Sequence, residues 1–197
     1  MSSFKVVLDA CVIIPAPLRD TLLRAADAGL YRVQLTDDIL EEMRRNLISQ
    51  IGLSRDKAQR VANVIKREFP EAFVTEHKPL IKAMPINAKD RHVLAAAVVT
   101  TSQVIVTQNL KDFPPDSLAP FHIEAQSPDD FLIHLFHLSA ESMIRILAEQ
   151  AKDLSNPPKS LPELLETLKL HAPTFVYVVQ NTLSSHQEIY TWANSIR

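Results

Sequence analysis

A chain of 197 residues with 46% apolar side chains can bury a sizeable core, and its formal charge of −2 hides an asymmetry: residues 1–125 carry 16 Lys and Arg against 15 Asp and Glu, whereas residues 126–197 carry 5 against 8. The single cysteine, Cys11, excludes an intramolecular disulfide and a Cys/His zinc framework, and the two glycines, Gly29 and Gly52, exclude a Gly-rich phosphate loop or a GxGxxG turn. No apolar run approaches the ~20 residues that span a bilayer, and MSSFK leads into a strand pattern instead of a signal peptide, so the expectation is a soluble cytoplasmic protein with no membrane association.

In chain order, apolar pattern and breakers predict a strand over 4–9, a helix over 17–28, a short strand over 32–35 and helices over 37–50 and 55–68. A short strand over 72–75, a helix over 89–101, a strand over 103–107 and another over 121–125 follow. Strands alternating with helices imply a mostly parallel sheet covered on both faces. From residue 128 only helices are expected, over 128–137, 140–153, 161–170 and 174–193, with LSNPPKSLP as a turn between the two pairs. The organisation read from the sequence is therefore an α/β domain over 1–125 and an all-helical extension over 126–197.

Carboxylates recur where this pattern places the carboxyl ends of strands. Asp9 closes the apolar run VVL, so it is expected to face the crevice beyond a parallel sheet, with a helix N-cap or a turn carboxylate as the rival explanation. In the helix capped by Thr36, Ile39, Leu40, Met43 and Leu47 form the buried stripe; at 100° per residue Glu42 lies nearer that stripe than Glu41, which is left to solvent. Asp90 precedes the apolar helix VLAAAVV, where free backbone N–H groups make capping the rival explanation. After the strand QVIVT, the loop TQNLKDF offers Thr107, Asn109 and Asp112, the last of which also suits a turn. Asp9, Glu42, Asp90 and Asp112 come from four elements expected at one sheet edge. Crowded acids need a compensating cation, and hard oxygen ligands suit Mg²⁺ or Mn²⁺. Such an ion lowers the pKa of a bound water and holds phosphate oxygens, which points to phosphodiester hydrolysis.

A second signal is basic. Residues 44–67 contain Arg44, Arg45, Arg55, Lys57, Arg60, Lys66 and Arg67 with Asp56 as the one acid, a pattern that suits phosphate contacts and equally suits a solvated helical face.

The segments LDACVII, TDDILEEMRRNL and DRHVLAAAVVTTSQVIVTQNLKDFP resemble the signature segments of PIN-domain ribonucleases, especially VapC-like bacterial toxins, over roughly residues 3–125. IEAQSPDDFL and NPPKSLPELLETL resemble a C-terminal helical extension carried by a subset of them. The resemblance implies a three-layer α/β/α PIN-like domain whose acidic pocket binds Mg²⁺ or Mn²⁺ and hydrolyses RNA. It assigns catalytic and metal-binding roles to Asp9, Glu42, Asp90 and Asp112, with Thr107 and Asn109 as polar neighbours in the pocket. Arg44, Arg45 and Arg91 are the expected substrate contacts, with His92 beside Arg91. It also implies a cognate antitoxin as partner and favours a homodimer. Asn87 stands where many relatives carry a further Asp, and Asn109 where others carry an acid, which leaves the number of metal ions open.

Two rivals stand beside this reading. A phosphatase of the aspartyl-phosphate type also places Asp after its first strand, but it needs a second acid two residues on, and that position is Cys11. A PIN-like module that binds RNA or protein without cutting would keep the fold and lose the chemistry. Cys11 is read as packing because no sequence feature supplies an activating base. His134 and His137, spaced i, i+3, lack a third ligand, and Phe175, Tyr177, Tyr190 and Trp192 are read as core instead of a base-stacking surface.

Overall fold

The computed structural model describes residues 4–155 and 157–185. They form two compact units: residues 4–15 with 31–127, and residues 16–30 with 128–155 and 157–185.

The first unit is built on four strands, β1 (Lys5–Leu8), β2 (Arg32–Gln34), β3 (Val104–Val106) and β4 (Glu124–Gln126), in the order β2-β1-β3-β4 with every pair parallel. β1 and β3 are central. Val6, Val7, Leu8 and the whole of β3 are buried, as expected for strands covered on both faces. The chain leaves β1 to one side for β2 and returns on the other side for β3. The strand order therefore reverses beside β1, and its carboxyl end marks the crevice where such sheets place ligands.

Helices α1 (Ala10–Ile13), α3 (Asp37–Ser49), α4 (Arg55–Glu68), α5 (Arg91–Thr100) and α6 (Pro115–Leu118) belong to this unit. α5 is apolar enough to be a core helix: Val93 to Ala97 are all buried, and it packs on β1, β2 and β3. Each fully buried Val or Leu of this kind is worth about 1.5–3 kcal/mol. α3 starts where Thr36 accepts a hydrogen bond from the Ile39 N–H at 3.1 Å, and it packs against α1, α4 and α5.

The second unit contains α2 (Ala16–Asp27), α7 (Pro128–Leu138), α8 (Ala140–Asp153), α9 (Leu161–Leu168) and α10 (Pro173–Ser185). α2 joins the C-terminal helices because its buried face, Leu18, Thr21, Leu22 and Ala25, lies against α8 and α9. Thr21 Oγ1 donates to Gln150 Oε1 at 2.7 Å, and Gln150 Nε2 donates to the Pro17 carbonyl at 2.9 Å. Phe136 and Phe175 meet edge to face with centroids 6.2 Å apart. Phe175 is core, whereas Tyr177 is 64% exposed. Tyr190, Trp192 and the end of the helix expected over 174–193 lie outside the described residues.

The parallel α/β sheet and the helical C-terminal region are as expected, with local departures. The expected strand over 72–75 is reduced to one parallel bridge, Leu35 to Phe73, because Pro70 opens a turn of 3-10 helix, Pro70–Ala72, directly before it. The last strand starts only at Glu124: Ala119–Phe121 is another 3-10 turn, and His122 has a left-handed φ of 56°. The helix expected from 89 begins at Arg91, and α1, one turn long, was not foreseen. No single described helix is long and apolar enough to cross a membrane.

Candidate active site

Asp9 lies directly after β1 and is 5% exposed. It is the N-cap residue of α1 by position, yet its side chain makes no capping hydrogen bond. Instead Oδ2 accepts from Thr107 Oγ1 at 2.7 Å and from Cys11 Sγ at 3.2 Å. Thr107, fully buried after β3, receives the Asn109 N–H at 3.0 Å, which fixes the hydroxyl so that its proton points to the carboxylate. Asn109 thus contributes through its backbone; its carbonyl also accepts the Asp112 N–H at 2.9 Å and starts the turn that carries Asp112.

Cys11 belongs to this cluster, contrary to its expected role as simple packing. Its sulfur accepts the Gln108 N–H at 3.2 Å while donating to Asp9. Burial first, and then the Asp9 charge, push the thiol up to about 12, so it stays protonated at neutral pH and acts as a donor rather than a nucleophile.

Asp90 is the N-cap residue of α5, but here too the side chain caps nothing. The carboxyl is 15% exposed, and its buried Oδ2 accepts no hydrogen bond. Burial is the main cause that pushes its pKa up to about 6, and Asp112, Asp9 and Glu42 act in the same direction while Lys89 opposes them. Glu42, on α3, is also raised by burial and by Asp9, with His92, Arg45 and Lys89 opposing. The four expected acids are therefore electrostatic neighbours. Glu41 is exposed, as the helical spacing predicts, and pairs with Arg44 at 2.7 Å.

Three basic side chains border the acids. Lys89 Nζ donates to Asp112 Oδ2 at 2.8 Å and stands 3.7 Å from Asp90 Oδ2. His92 Nε2 comes within 3.5 Å of Glu42 Oε2 without completing a hydrogen bond. Arg45 lines a cleft of 470 Å³ together with Glu42, Lys89, His92, Asp38, Glu41 and Asn46. Of the other expected substrate contacts, Arg44 is held by Glu41, and Arg91 Nε is spent on the Ile86 carbonyl at 2.9 Å.

Among the described residues no three His, Cys, Asp or Glu side chains stand close enough to form a ready-made metal cage, His134 and His137 included. The donor set nevertheless suits a hard cation. Asp90 presents a buried oxygen that accepts no hydrogen bond, and both hydrogen bonds to the Asp9 carboxylate fall on Oδ2. Lys89 was absent from the residues expected here. The signal that would have found it is its place directly before the N-cap of α5.

A family model described as "PIN domain" matches residues 5–111. The chain belongs to the PIN domain family. The site lies where that match runs, and Asp112 follows its last residue directly. A second model, described as "VapC50 C-terminal domain", matches residues 128–180 of this PIN protein. Over 104 residues it is 42% identical to "Putative ribonuclease VapC50" of Mycobacterium tuberculosis (strain ATCC 25618 / H37Rv), an alignment covering 53% of this chain and 62% of the relative. The chain thus spans less than two thirds of that relative's length. No solved structure matches.

Proposed function

We propose that this PIN-domain protein is a divalent-metal-dependent endoribonuclease acting as the toxin of a toxin–antitoxin pair. The observation that carries the reading is Asp90: a nearly buried carboxylate at a helix start that caps nothing, leaves one oxygen without a hydrogen bond, and shares its field with Asp9, Glu42 and Asp112. Such an arrangement is costly as it stands and is relieved by a cation. The family membership and the VapC50 likeness support the same chemistry, with RNA as the proposed substrate and a cognate antitoxin as the proposed partner. They also support reading residues 1–125 as the nuclease domain and 126–197 as its extension. A cytoplasmic location and a homodimer are part of the proposal.

Asp9, Glu42, Asp90 and Asp112 would hold Mg²⁺ or Mn²⁺. When bound, the ion neutralises charge on a phosphodiester and lowers the pKa of water at the site. The chain's own residues do the rest. Thr107 and Cys11 hold the Asp9 carboxylate in one orientation, leaving Oδ1 for the ion. Glu42, raised by burial and by Asp9, is placed to accept a proton at its carboxylate. Arg45, on the rim of the cleft, meets the RNA backbone, and the exposed Arg55, Lys57 and Arg60 of α4 extend a sequence-independent phosphate surface.

Purified protein incubated with RNA and Mn²⁺ or Mg²⁺ tests this. Cleavage that stops on chelation, and is lost in Asp9→Asn and Asp90→Asn variants that still fold, is expected. RNA binding without cleavage under either metal would transfer the assignment to a binding module, and efficient turnover of a phosphate monoester would favour the phosphatase.

A further inference from the structure

Lys89 sits inside the acidic site without being one of its acids. We propose that its ammonium is the site's resident counter-ion, which a divalent cation must displace from Asp112 and Asp90 in order to bind. This inference rests on the cation reading of the site given above.

The contacts are those of a cation in a shared carboxylate field. Nζ donates to Asp112 Oδ2 at 2.8 Å and lies 3.7 Å from Asp90 Oδ2, while both carboxylates are only 15% exposed. The Asp90 oxygen it approaches is the one that accepts no hydrogen bond. The ammonium therefore partly offsets the repulsion between the two acids without completing a hydrogen bond to the second. Glu42 and Asp9 add to the negative field around it, and Arg45 and His92 oppose it at Glu42.

The lysine is also built to leave. Its side chain is 60% exposed, and it lies in the segment before α5 whose preceding residues, Asn87 and Ala88, are exposed as well. An ion pair with so much water around it is weak and exchanges readily. A divalent ion brings twice the charge and takes several oxygen ligands at once, which a single ammonium cannot match. The displaced side chain has somewhere to go, since Lys89 already lines the 470 Å³ cleft that also contains Arg45 and His92. Metal loading then becomes an exchange of one cation for another, and its apparent affinity depends on the charge at position 89.

Mn²⁺ titration of the 197-residue chain, with free ion read by electron paramagnetic resonance, tests this without reference to cleavage. Lys89→Met and Lys89→Gln remove the charge from an exposed position, and a thermal melt confirms that each folds. Both should bind Mn²⁺ about tenfold more tightly than wild type, the order expected for removing a unit charge a few ångströms from a divalent ion. Lys89→Arg should bind no more tightly than wild type. If the neutral variants bind no better than a wild type that does bind, or if Lys89→Arg tightens as much as they do, the counter-ion role is overturned while the cation site stands. If no variant and no wild type binds Mn²⁺, the cation reading falls and the role of Lys89 falls with it.

Discussion

Thr107 donates its hydroxyl proton to Asp9 Oδ2 at 2.7 Å, joining the carboxyl ends of the two central strands at the point where the sheet order reverses. The bond is buried, and the hydroxyl is itself oriented by the Asn109 N–H. Thr107→Val keeps the shape and removes the donor, so Asp9 loses its shorter hydrogen bond in a place water cannot easily replace it. The expected cost is about 1–3 kcal/mol of stability, together with a drop in RNA cleavage of roughly tenfold or more, because a carboxylate free to turn no longer presents Oδ1 in one direction. Chemical denaturation and a cleavage assay check the two effects. A Val variant with wild-type values for both would show that the bond positions nothing.

Asp90 gives the metal-free protein a distinctive response to pH. Its carboxyl is raised from 3.8 to about 6, so between these values the folded protein keeps a proton that the unfolded chain has released. Stability contributed by this group therefore rises as pH falls through about 6, is complete below 3.8, and is lost again toward neutrality. Relative to Asp90→Asn, whose amide does not titrate, metal-free wild type should gain about 2–4 °C in Tm on going from pH 7 to pH 5. Melts in chelator at both pH values decide it, and parallel profiles for the two proteins would contradict the assignment. In the same range Mn²⁺ affinity should fall with acidification, because binding requires the carboxylate.

Much of this site was legible in the sequence because strand ends are legible. An apolar run followed by Asp9, and another followed by Thr107, place both side chains beyond the sheet once the strands are parallel, and helical spacing separates Glu42 from Glu41. What periodicity could not show was which acids cap helices. Asp9 and Asp90 both stand at N-cap positions, and only their side-chain partners distinguish a cap from a site. Lys89 and Cys11 were missed for a related reason. A lone lysine in a turn carries no periodic signal, and the bond that the Cys11 thiol accepts comes from a loop 97 residues away in sequence. The association of α2 with the C-terminal helices was equally hidden, since an apolar helical stripe does not name the surface that buries it.

Cys11 should be chemically quiet. With its thiol pushed up to about 12, it should react with iodoacetamide at pH 7.5 far more slowly than a free cysteine, by a hundredfold or more given its scarce thiolate. Cys11→Ser, which retains a donor, should keep most of the cleavage activity, whereas Cys11→Ala should lose several-fold through Asp9. Rapid alkylation, or loss of all activity in Cys11→Ser, would point to a nucleophile instead.

In the helical unit, Gln150 is 1% exposed and fastens α8 to α2 through Thr21 and the Pro17 carbonyl. Gln150→Ala removes both of these bonds, leaving Thr21 Oγ1 to donate to the Pro17 carbonyl alone at 3.0 Å, and opens a cavity, at an expected cost of about 2–4 kcal/mol. Gln150→Leu fills the space and should recover part of that loss. Equilibrium unfolding of both variants tests the pair, and a wild-type midpoint for Gln150→Ala would show that the network contributes nothing net.

Asp9, Glu42, Asp90 and Asp112 are proposed to serve a divalent-metal site. Anomalous diffraction from crystals of the wild-type protein soaked in Mn²⁺ reports this most directly. A Mn²⁺ peak within ligand distance of oxygens from at least Asp9 and Asp90 is expected, with Lys89 moved away from Asp112. A soaked crystal with no peak there, or with its Mn²⁺ bound elsewhere, would contradict it.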